Sequence, residues 1–324
     1  MNKLIFFLIS AHLVYCQINP LDVEIVRDKF GVPHIFGKTD ADVAYGLAWA
    51  NAEDDFETIQ SVYLAGSSIL SKRLGNKGIG ADFLSQFIGS SELFDSLYEK
   101  KISPEYKKII QAYANGLNSY AKKYPEEILI SELFPITPKK MMLYAQLQLF
   151  ISSRGDYWIK KILNGDIRYE VNFSNDRGSN AFAFNSSKTK DGKTYLAINT
   201  HQPLEGPVSW YEVHLCSEEG TNIIGALFPG SPNILIGANK YLGWAHTVNY
   251  PDKTDVFKLE MEDKKKGYYK FDNKVLKLNT YKAKLNYRLL GLFNLKINKK
   301  FYRSVYGPTL KNKKGYYSIR TPSL

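Results

Sequence analysis

Residues 22–36, DVEIVRDKFGVPHIF, alternate apolar and polar positions, pause at Phe30-Gly31, and resume as an extended run through Pro33. Period-two alternation puts every second side chain on one face, so a strand, a turn and a second extended segment are predicted. KTDADVAYGLAWANAEDDFETIQSVYLAG then changes period. Ala44, Leu47, Ala48 and Phe56 form one stripe of a long helix, with Thr39 or Asp40 as its N-cap and acidic residues in its first turn. A second helix is predicted around SPEYKKIIQAYANGLNSYAKKY. Another opens at Thr137-Pro138, a capping residue followed by proline at the first helical position. Residues 40–165 are read as mostly helical.

The texture reverses at NGDIRYEVNFSNDRGSN, a polar, turn-rich stretch over residues 164–180. Beyond it the runs alternate. NAFAFNSSKTKDGKTYLAIN is two such runs around Asp191-Gly192, the mark of a β-hairpin. WYEVHLCSEEGTNIIGALFPG and NILIGANKYLGWAHTVN repeat the theme. The expected class is α+β, with a mainly helical N-terminal part and a β-rich remainder. There are no internal repeats or low-complexity segments.

The 324 residues are 44% hydrophobic, enough for one large or two ordinary domains with a substantial core. The opening MNKLIFFLISAHLVYCQ stands apart. Lys3 heads an apolar run from Leu4 to Val14 that is too short to span a bilayer and has the form of a secretory signal cleaved before Gln17. Residues 1–16 are assigned to this leader, and the periplasm or the cell exterior is the expected address. Lipid attachment at Cys16 is the other reading, opposed by the bulky Tyr15 before it. Either way Cys216 lacks a partner, and no internal disulfide is expected.

Charge is unevenly placed. Residues 1–250 carry 24 basic and 26 acidic side chains (net −2), whereas residues 251–324 carry 19 and 6 (net +13). A basic tail rich in Tyr and Phe raises nucleic acid as a partner. However, KVLKLNTYKAKLNYRLLGLFNLKINKKFYRSVYG alternates apolar residues with Lys or Asn, the pattern of strands with one solvated, lysine-bearing face. No nucleic-acid motif accompanies the charge, so nucleic acid is not an expected partner.

RGSNAFAF places Ser179 where the polar stretch meets a strand. Such a serine has an ordinary reading as a turn residue whose hydroxyl serves local backbone groups. The G-x-S-x-G arrangement of many serine hydrolases does not fit, because there the nucleophile sits on a strand-to-helix turn. The position offers a different chemistry. A cut between Gly178 and Ser179 gives Ser179 a free α-amine, with an unperturbed pKa of about 7.7–8.0 against roughly 10.4 for lysine. A useful fraction is unprotonated near neutral pH, so one residue supplies both nucleophile and base. Gly178 suits the cut, since without a Cβ it tolerates a strained backbone and exposes its carbonyl. Taken alone, His201 reads as a turn residue after a strand, and His214 as a structural strand residue.

Several long segments, in order, carry a resemblance. They are VEIVRDKFGVPHIFGKTDADVAYGLAWANAEDDF, RGSNAFAF, NTHQPLEGPVSWYEVHL, FPGSPNILIGANKYLGWAHTVNYPDKTDVF and YRSVYGPTLKNKKGYYSIR, the last with Tyr306 where a histidine is common. Over nearly all of residues 22–324 the chain resembles the penicillin acylase group of N-terminal-nucleophile hydrolases, which includes cephalosporin and acyl-homoserine lactone acylases. The resemblance implies self-cleavage between Gly178 and Ser179 into a helical small subunit (residues 17–178) and a β-rich larger one (from residue 179 on), associated as a heterodimer. It also implies a four-layer αββα sandwich and acyl transfer through an ester on Ser179 Oγ. The substrate is then a small acylated amine: a β-lactam, an acyl-homoserine lactone, a lipopeptide or an N-acyl amino acid.

The same resemblance assigns further positions. His201 falls where a histidine or glutamine helps position the reacting groups. Val248 falls where a backbone N–H meets the developing oxyanion, with Asn249 beside it. Gln202, Val208, Ser209, Trp210 and His246 are expected to line the substrate pocket. Asp252, Thr254 and Asp255 are expected to offer oxygen ligands to a structural Ca2+. The glutamate expected from the helical half falls near RGDYWIKK, where Trp158 stands instead. No organic cofactor is expected. A second oxyanion donor, an asparagine far downstream, and a nearby arginine have no counterpart in the 145 residues after Ser179. The sequence therefore reads as the front part of a longer acylase and the sandwich as incomplete. Two rival readings are a catalytically silent structural or binding piece and a basic nucleic-acid-binding protein.

Overall fold

A computed structural model describes residues 18–168, 178–249, 251–289 and 293–322. The leader, Cys16 and most of the polar loop before Gly178 lie outside the described residues.

The front half is helical as its periodicity predicts. Its helices are α1 (Asp40–Gly66), α2 (Ser71–Leu74), α3 (Ile79–Ile88), α4 (Ser90–Lys101), α5 (Pro104–Lys123), α6 (Pro138–Ser152) and α7 (Gly155–Asn164). Thr39 caps α1 in a reciprocal capping box with Asp42. Asp55 leaves helical geometry inside α1 (φ −156°, ψ 63°), and its Oδ1 accepts the N–H of Thr58, restarting the helix after a kink. Ser103 caps α5 and Thr137 caps α6, each followed by proline.

α1 is the central helix. A Cβ on Gly116 of α5 would sit 2.5 Å from the Tyr45 carbonyl oxygen, so only glycine lets α5 approach α1 this closely. Polar groups that α1 buries are partly matched: Asn51 Oδ1 accepts the Tyr113 hydroxyl and the Gly230 N–H, both at 3.2 Å, and the Tyr63 hydroxyl donates to the Gly230 carbonyl at 2.5 Å. Asn51 Nδ2 has no partner among the described residues.

A six-stranded sheet lies against α1. It runs in the order β1 (Glu24–Arg27), β2 (Pro33–Gly37), β5 (Tyr211–Ser217), β6 (Asn222–Leu227), β7 (Ile236–Ala238) and β8 (Gly243–Trp244). Strand β2 pairs in parallel with β5, so segments from before and after Gly178 share one ladder. Ile35, Val213 and Leu215 point into the core formed with α1 and α5.

β3 (Ser179–Phe184) and β4 (Tyr195–Thr200) form the hairpin predicted around Asp191-Gly192. Gly192 adopts φ +67°, as that turn requires. A five-stranded sheet follows in the order β12 (Asn279–Leu289), β13 (Phe293–Ser304), β14 (Gly307–Asn312), β15 (Gly315–Arg320) and β9 (Asp255–Lys258), with β10 (Tyr268–Phe271) and β11 (Lys274–Lys277) as a separate ribbon. Ala283 and Leu285 are buried and alternate with exposed Lys282 and Lys284, giving the wet lysine face read from the sequence. The region after β7 departs from expectation: β8 is two residues long, and residues 245–249 are irregular rather than strand. No helix among the described residues is long and apolar enough to cross a membrane.

Candidate active site

Ser179 is the first residue of β3, directly opposite Thr200, the last of β4. Its hydroxyl donates to the Gly178 carbonyl oxygen at 2.6 Å, so the hydroxyl rests against the peptide group that joins the two residues. His201 follows β4 and lies over Gly178. A Cβ built on Gly178 would fall 3.4 Å from the imidazole Nδ1, an ordinary contact distance that places the ring directly beside this residue. The other ring nitrogen, Nε2, meets the side-chain amides of Asn180 (3.4 Å) and Asn199 (3.2 Å). Two amide N–H donors on Nε2 leave the proton of a neutral ring on Nδ1, the atom turned towards Gly178.

This cluster was only partly visible in advance. Gly178, Ser179 and His201 come together as expected. Asn180 and Asn199 were missed, although they flank the predicted residues in GSN and NTH and stand directly opposite one another in the ladder. The signal was period two: residues 199 and 201 share a face of the hairpin, and so do 178 and 180.

The other candidates are more dispersed. Ser209 is buried and its hydroxyl donates to the Gly206 carbonyl at 2.8 Å, fixing a turn rather than presenting a free polar group. Trp210 stacks on Phe228 with centroids 4.5 Å apart, and among the described residues its buried indole N–H has no hydrogen-bond partner. Gln202 and Val208 are half-buried. His246, Val248 and Asn249 are exposed in the irregular segment after β8. Leu196 of β4 packs over Gly243, where a Cβ would come within 2.5 Å, so the segment leaves β8 next to the hairpin. Among the described residues no hydrogen bond joins Ser179 to Val248 or Asn249.

Asp252, Thr254 and Asp255, the expected calcium ligands, stand at the entry to β9. Thr254 is buried and donates its hydroxyl to the Ser153 carbonyl at the end of α6. Asp252 Oδ1 accepts the Thr254 N–H at 3.4 Å, and Asp255 opens β9 opposite Arg320. Among the described residues no group of three or more His, Cys, Asp or Glu side chains converges. Ca2+ takes about six to eight oxygens. Asp252, Asp255 and the main-chain carbonyl of Thr254 offer fewer than that, so an ion held there needs oxygens from elsewhere in the protein.

Apart from the contact of Leu196 with Gly243, the described residues leave both faces of the hairpin that carries Ser179 largely uncovered. Phe182 and Phe184 are 57% and 49% exposed on one face, Leu196 and Ile198 are 38% and 36% exposed on the other, and Tyr195 is 48% exposed at its end. A strand pair with apolar side chains on both sides has the composition of an inner layer.

Two curated relatives resemble the chain along most of its length. Acyl-homoserine lactone acylase PvdQ of Pseudomonas fluorescens (strain Pf0-1) is 23% identical over 339 aligned positions, covering 93% of this chain and 43% of the relative. The protein of the same name from Pseudomonas putida (strain KT2440) is 22% identical, covering 96% and 45%. The chain thus spans less than half the length of these relatives. A solved thermostable penicillin G acylase from Alcaligenes faecalis is 18% identical and covers 46% of this chain and 94% of its own; its TM-score of 0.31 carries no argument about the fold. The family model for penicillin amidase matches residues 22–324, and the chain belongs to the penicillin amidase family.

Proposed function

We propose that this chain is the front part of an exported, self-processing amidohydrolase that removes an acyl group from an N-acyl amine. One observation carries the reading: Ser179 opens a strand with its hydroxyl on the Gly178 carbonyl, while His201 covers the same peptide group. In the first step Oγ attacks the Gly178 carbonyl carbon. The Gly178–Ser179 C–N bond breaks, the hydroxyl proton passes to the departing nitrogen, and an ester links Gly178 to Ser179. Water then hydrolyses the ester, leaving a carboxylate on Gly178 and a free α-amine on Ser179.

The freed amine serves as base in each later turnover. It takes the Oγ proton as Oγ attacks the substrate carbonyl, and returns it to the leaving amine. The backbone N–H of Val248, with Asn249 beside it, closes on the oxyanion when substrate is bound. One such donor contributes about 3 kcal/mol to transition-state stabilisation. His201, oriented by Asn180 and Asn199, positions the nucleophile segment. The apolar Val208 and Trp210 suit an acyl chain, with Gln202, Ser209 and His246 at the edges of the pocket. The two products of self-cleavage remain associated through the β2–β5 ladder and the packing of α1 on β5. The two-faced apolar hairpin supports an αββα sandwich in which β3 and β4 are inner strands.

Intact mass and N-terminal sequencing of the purified full-length product, beside a Ser179→Ala control, test the proposal. The expected result is a cut before Ser179 that is absent from the control. A product that stays whole yet hydrolyses amides overturns it. A panel of acyl-homoserine lactones, penicillin G and N-acyl amino acids then identifies the acyl and amine halves. The rival reading, a silent structural piece, is favoured by the same uncovered hairpin and predicts neither cut nor turnover.

A further inference from the structure

His34 and His214 stand directly opposite each other across the parallel pair β2–β5. They lie on the sheet face turned away from α1, since their neighbours Ile35, Val213 and Leu215 fill the core. The two Nδ1 atoms are 3.1 Å apart. The Phe36 ring edge, 5.8 Å from the His214 ring, and the exposed Val26 and Ile224, cross-strand neighbours of the pair, frame the site.

The outer ring nitrogens decide what lies between the inner ones. His214 Nε2 is 3.0 Å from Asn222 Oδ1. An amide oxygen only accepts, so Nε2 carries the hydrogen and the Nδ1 of a neutral ring is a bare lone pair. His34 Nε2 faces Asp28 Oδ2 at 3.8 Å. Asp28 is held in place because its Oδ1 accepts the N–H groups of Phe30 and Val32. A separation of 3.8 Å is too long for a hydrogen bond, but the negative charge favours a hydrogen on Nε2 once a cation takes the Nδ1 lone pair. In the metal-free pair His34 Nδ1–H donates to the bare His214 Nδ1; a cation takes the place of that hydrogen and accepts both lone pairs. Imidazole nitrogens bind Zn2+ at about 2.0–2.1 Å, so two ligands at angles between square and tetrahedral lie roughly 2.9–3.4 Å apart. The observed separation falls inside that window.

We propose that His34 and His214 form a seat for a divalent first-row transition cation, Cu2+, Ni2+ or Zn2+, bound through both Nδ1 atoms. Asp28 and Asn222 hold the rings from behind, as carboxylates and amides do for histidine ligands elsewhere. Nitrogen donors select these ions over Ca2+ and Mg2+. The His34 side chain is 29% exposed, which leaves the remaining coordination positions to water. Because β2 precedes and β5 follows Gly178, the ion ties together segments on both sides of that bond. The seat does not depend on hydrolytic activity at Ser179.

The test uses the full-length chain stripped with a chelator, then equilibrium dialysis against Zn2+ and an electron paramagnetic resonance spectrum with Cu2+. His34→Gln and His214→Gln are compared with the unaltered protein; each keeps His201 and His246, so uptake at those rings is common to all three. The expected result is one more equivalent of Zn2+ in the unaltered chain than in either variant. Its copper spectrum should show coupling to two imidazole nitrogens that both variants lose. Asp28→Asn keeps the acceptor for Phe30 and Val32 and should weaken affinity roughly 10-fold. Where a variant does not fold, the unaltered chain decides: Zn2+ should raise its melting temperature and Mg2+ should not. Equal uptake in all three proteins, or no rise with Zn2+, overturns the proposal.

Discussion

Phe301 and Phe182 are both strand phenylalanines, and they meet opposite fates. Phe301, in β13, is 1% exposed and touches three rings, with centroids 5.1 Å from Phe83, 5.4 Å from Phe87 and 5.5 Å from Tyr281. Phe182, in β3, is 57% exposed and, among the described residues, stacks only on its strand neighbour Phe184, 6.5 Å away. Identical side chains in the same secondary structure thus differ by whether a second layer is present. The five-stranded sheet has its layer in α3, α6 and α7, whose Phe87, Phe150 and Ile162 share a core with it. The Ser179 hairpin has apolar side chains ready on both faces and little against them. Burial, not strand formation, is what separates a finished region from the one carrying the proposed chemistry.

The sharpest way to break that contrast is to delete the buried ring. Phe301→Ala removes a fully packed aromatic side chain and should cost about 3–5 kcal/mol, read as a lower denaturant midpoint at unchanged slope. A loss under about 1 kcal/mol would mean that this sheet is no better covered than the hairpin.

Next comes a polar contact in the first core. Tyr63→Phe leaves the ring but removes the hydroxyl that donates to the Gly230 carbonyl. Burial pushes the Tyr63 hydroxyl well above the usual tyrosine pKa, so it stays protonated and a donor through the physiological range. The variant should lose about 1–3 kcal/mol, because a buried acceptor is left without a partner. The loss should be constant from about pH 6 to 9, a range in which this group does not titrate. A loss that grows with pH would show that the hydroxyl ionises in the folded chain.

A smaller effect is expected where α6 meets the strand region. Thr254→Val removes the hydroxyl that bonds the Ser153 carbonyl and should cost about 1 kcal/mol. Adding Ca2+ to chelator-stripped protein should leave the melting temperature unchanged. A clear rise with Ca2+ would show that Asp252, Thr254 and Asp255 gather ligands that the described residues do not display.

The sequence made these regions legible to different degrees, for physical reasons. The α1 cap, read as Thr39 or Asp40, and the Pro138 start of α6 were readable because capping is local chemistry. The hairpin was readable from its two alternating runs and the Asp191-Gly192 turn, but not the length of its connection, which begins after Phe184 and includes a 3-10 turn over Ser186–Lys188 before β4 starts at Tyr195. The kink at Asp55 was not, since AEDDFE continues a helical pattern and only the fold reveals the break. Pairing of β2 with β5 was also hidden: it joins residues 180 positions apart, and alternation fixes a strand's faces but not its neighbours. Gly178, Ser179 and His201 were found through resemblance, whereas Asn180 and Asn199 required the ladder. The calcium ligands were assigned by resemblance alone, and the contact of the Thr254 hydroxyl with Ser153, 101 positions away, had no signal in the sequence.

The smallest expected effect is the most informative about the hairpin. Phe182→Ser and Phe184→Ser remove two large apolar side chains, yet both are about half exposed and face little else. In this chain the pair should change stability by no more than about 0.5 kcal/mol, as surface substitutions usually do. Ser should also raise solubility, because it removes an exposed apolar patch. The same double substitution in a longer protein, where a further layer lies on β3, should instead cost several kcal/mol, on the order of other buried phenylalanines. Comparing the two measurements therefore tests directly whether the Ser179 strand is an inner strand. Equal small losses in both would leave Phe182 a surface residue and remove the support this hairpin gives to a four-layer sandwich.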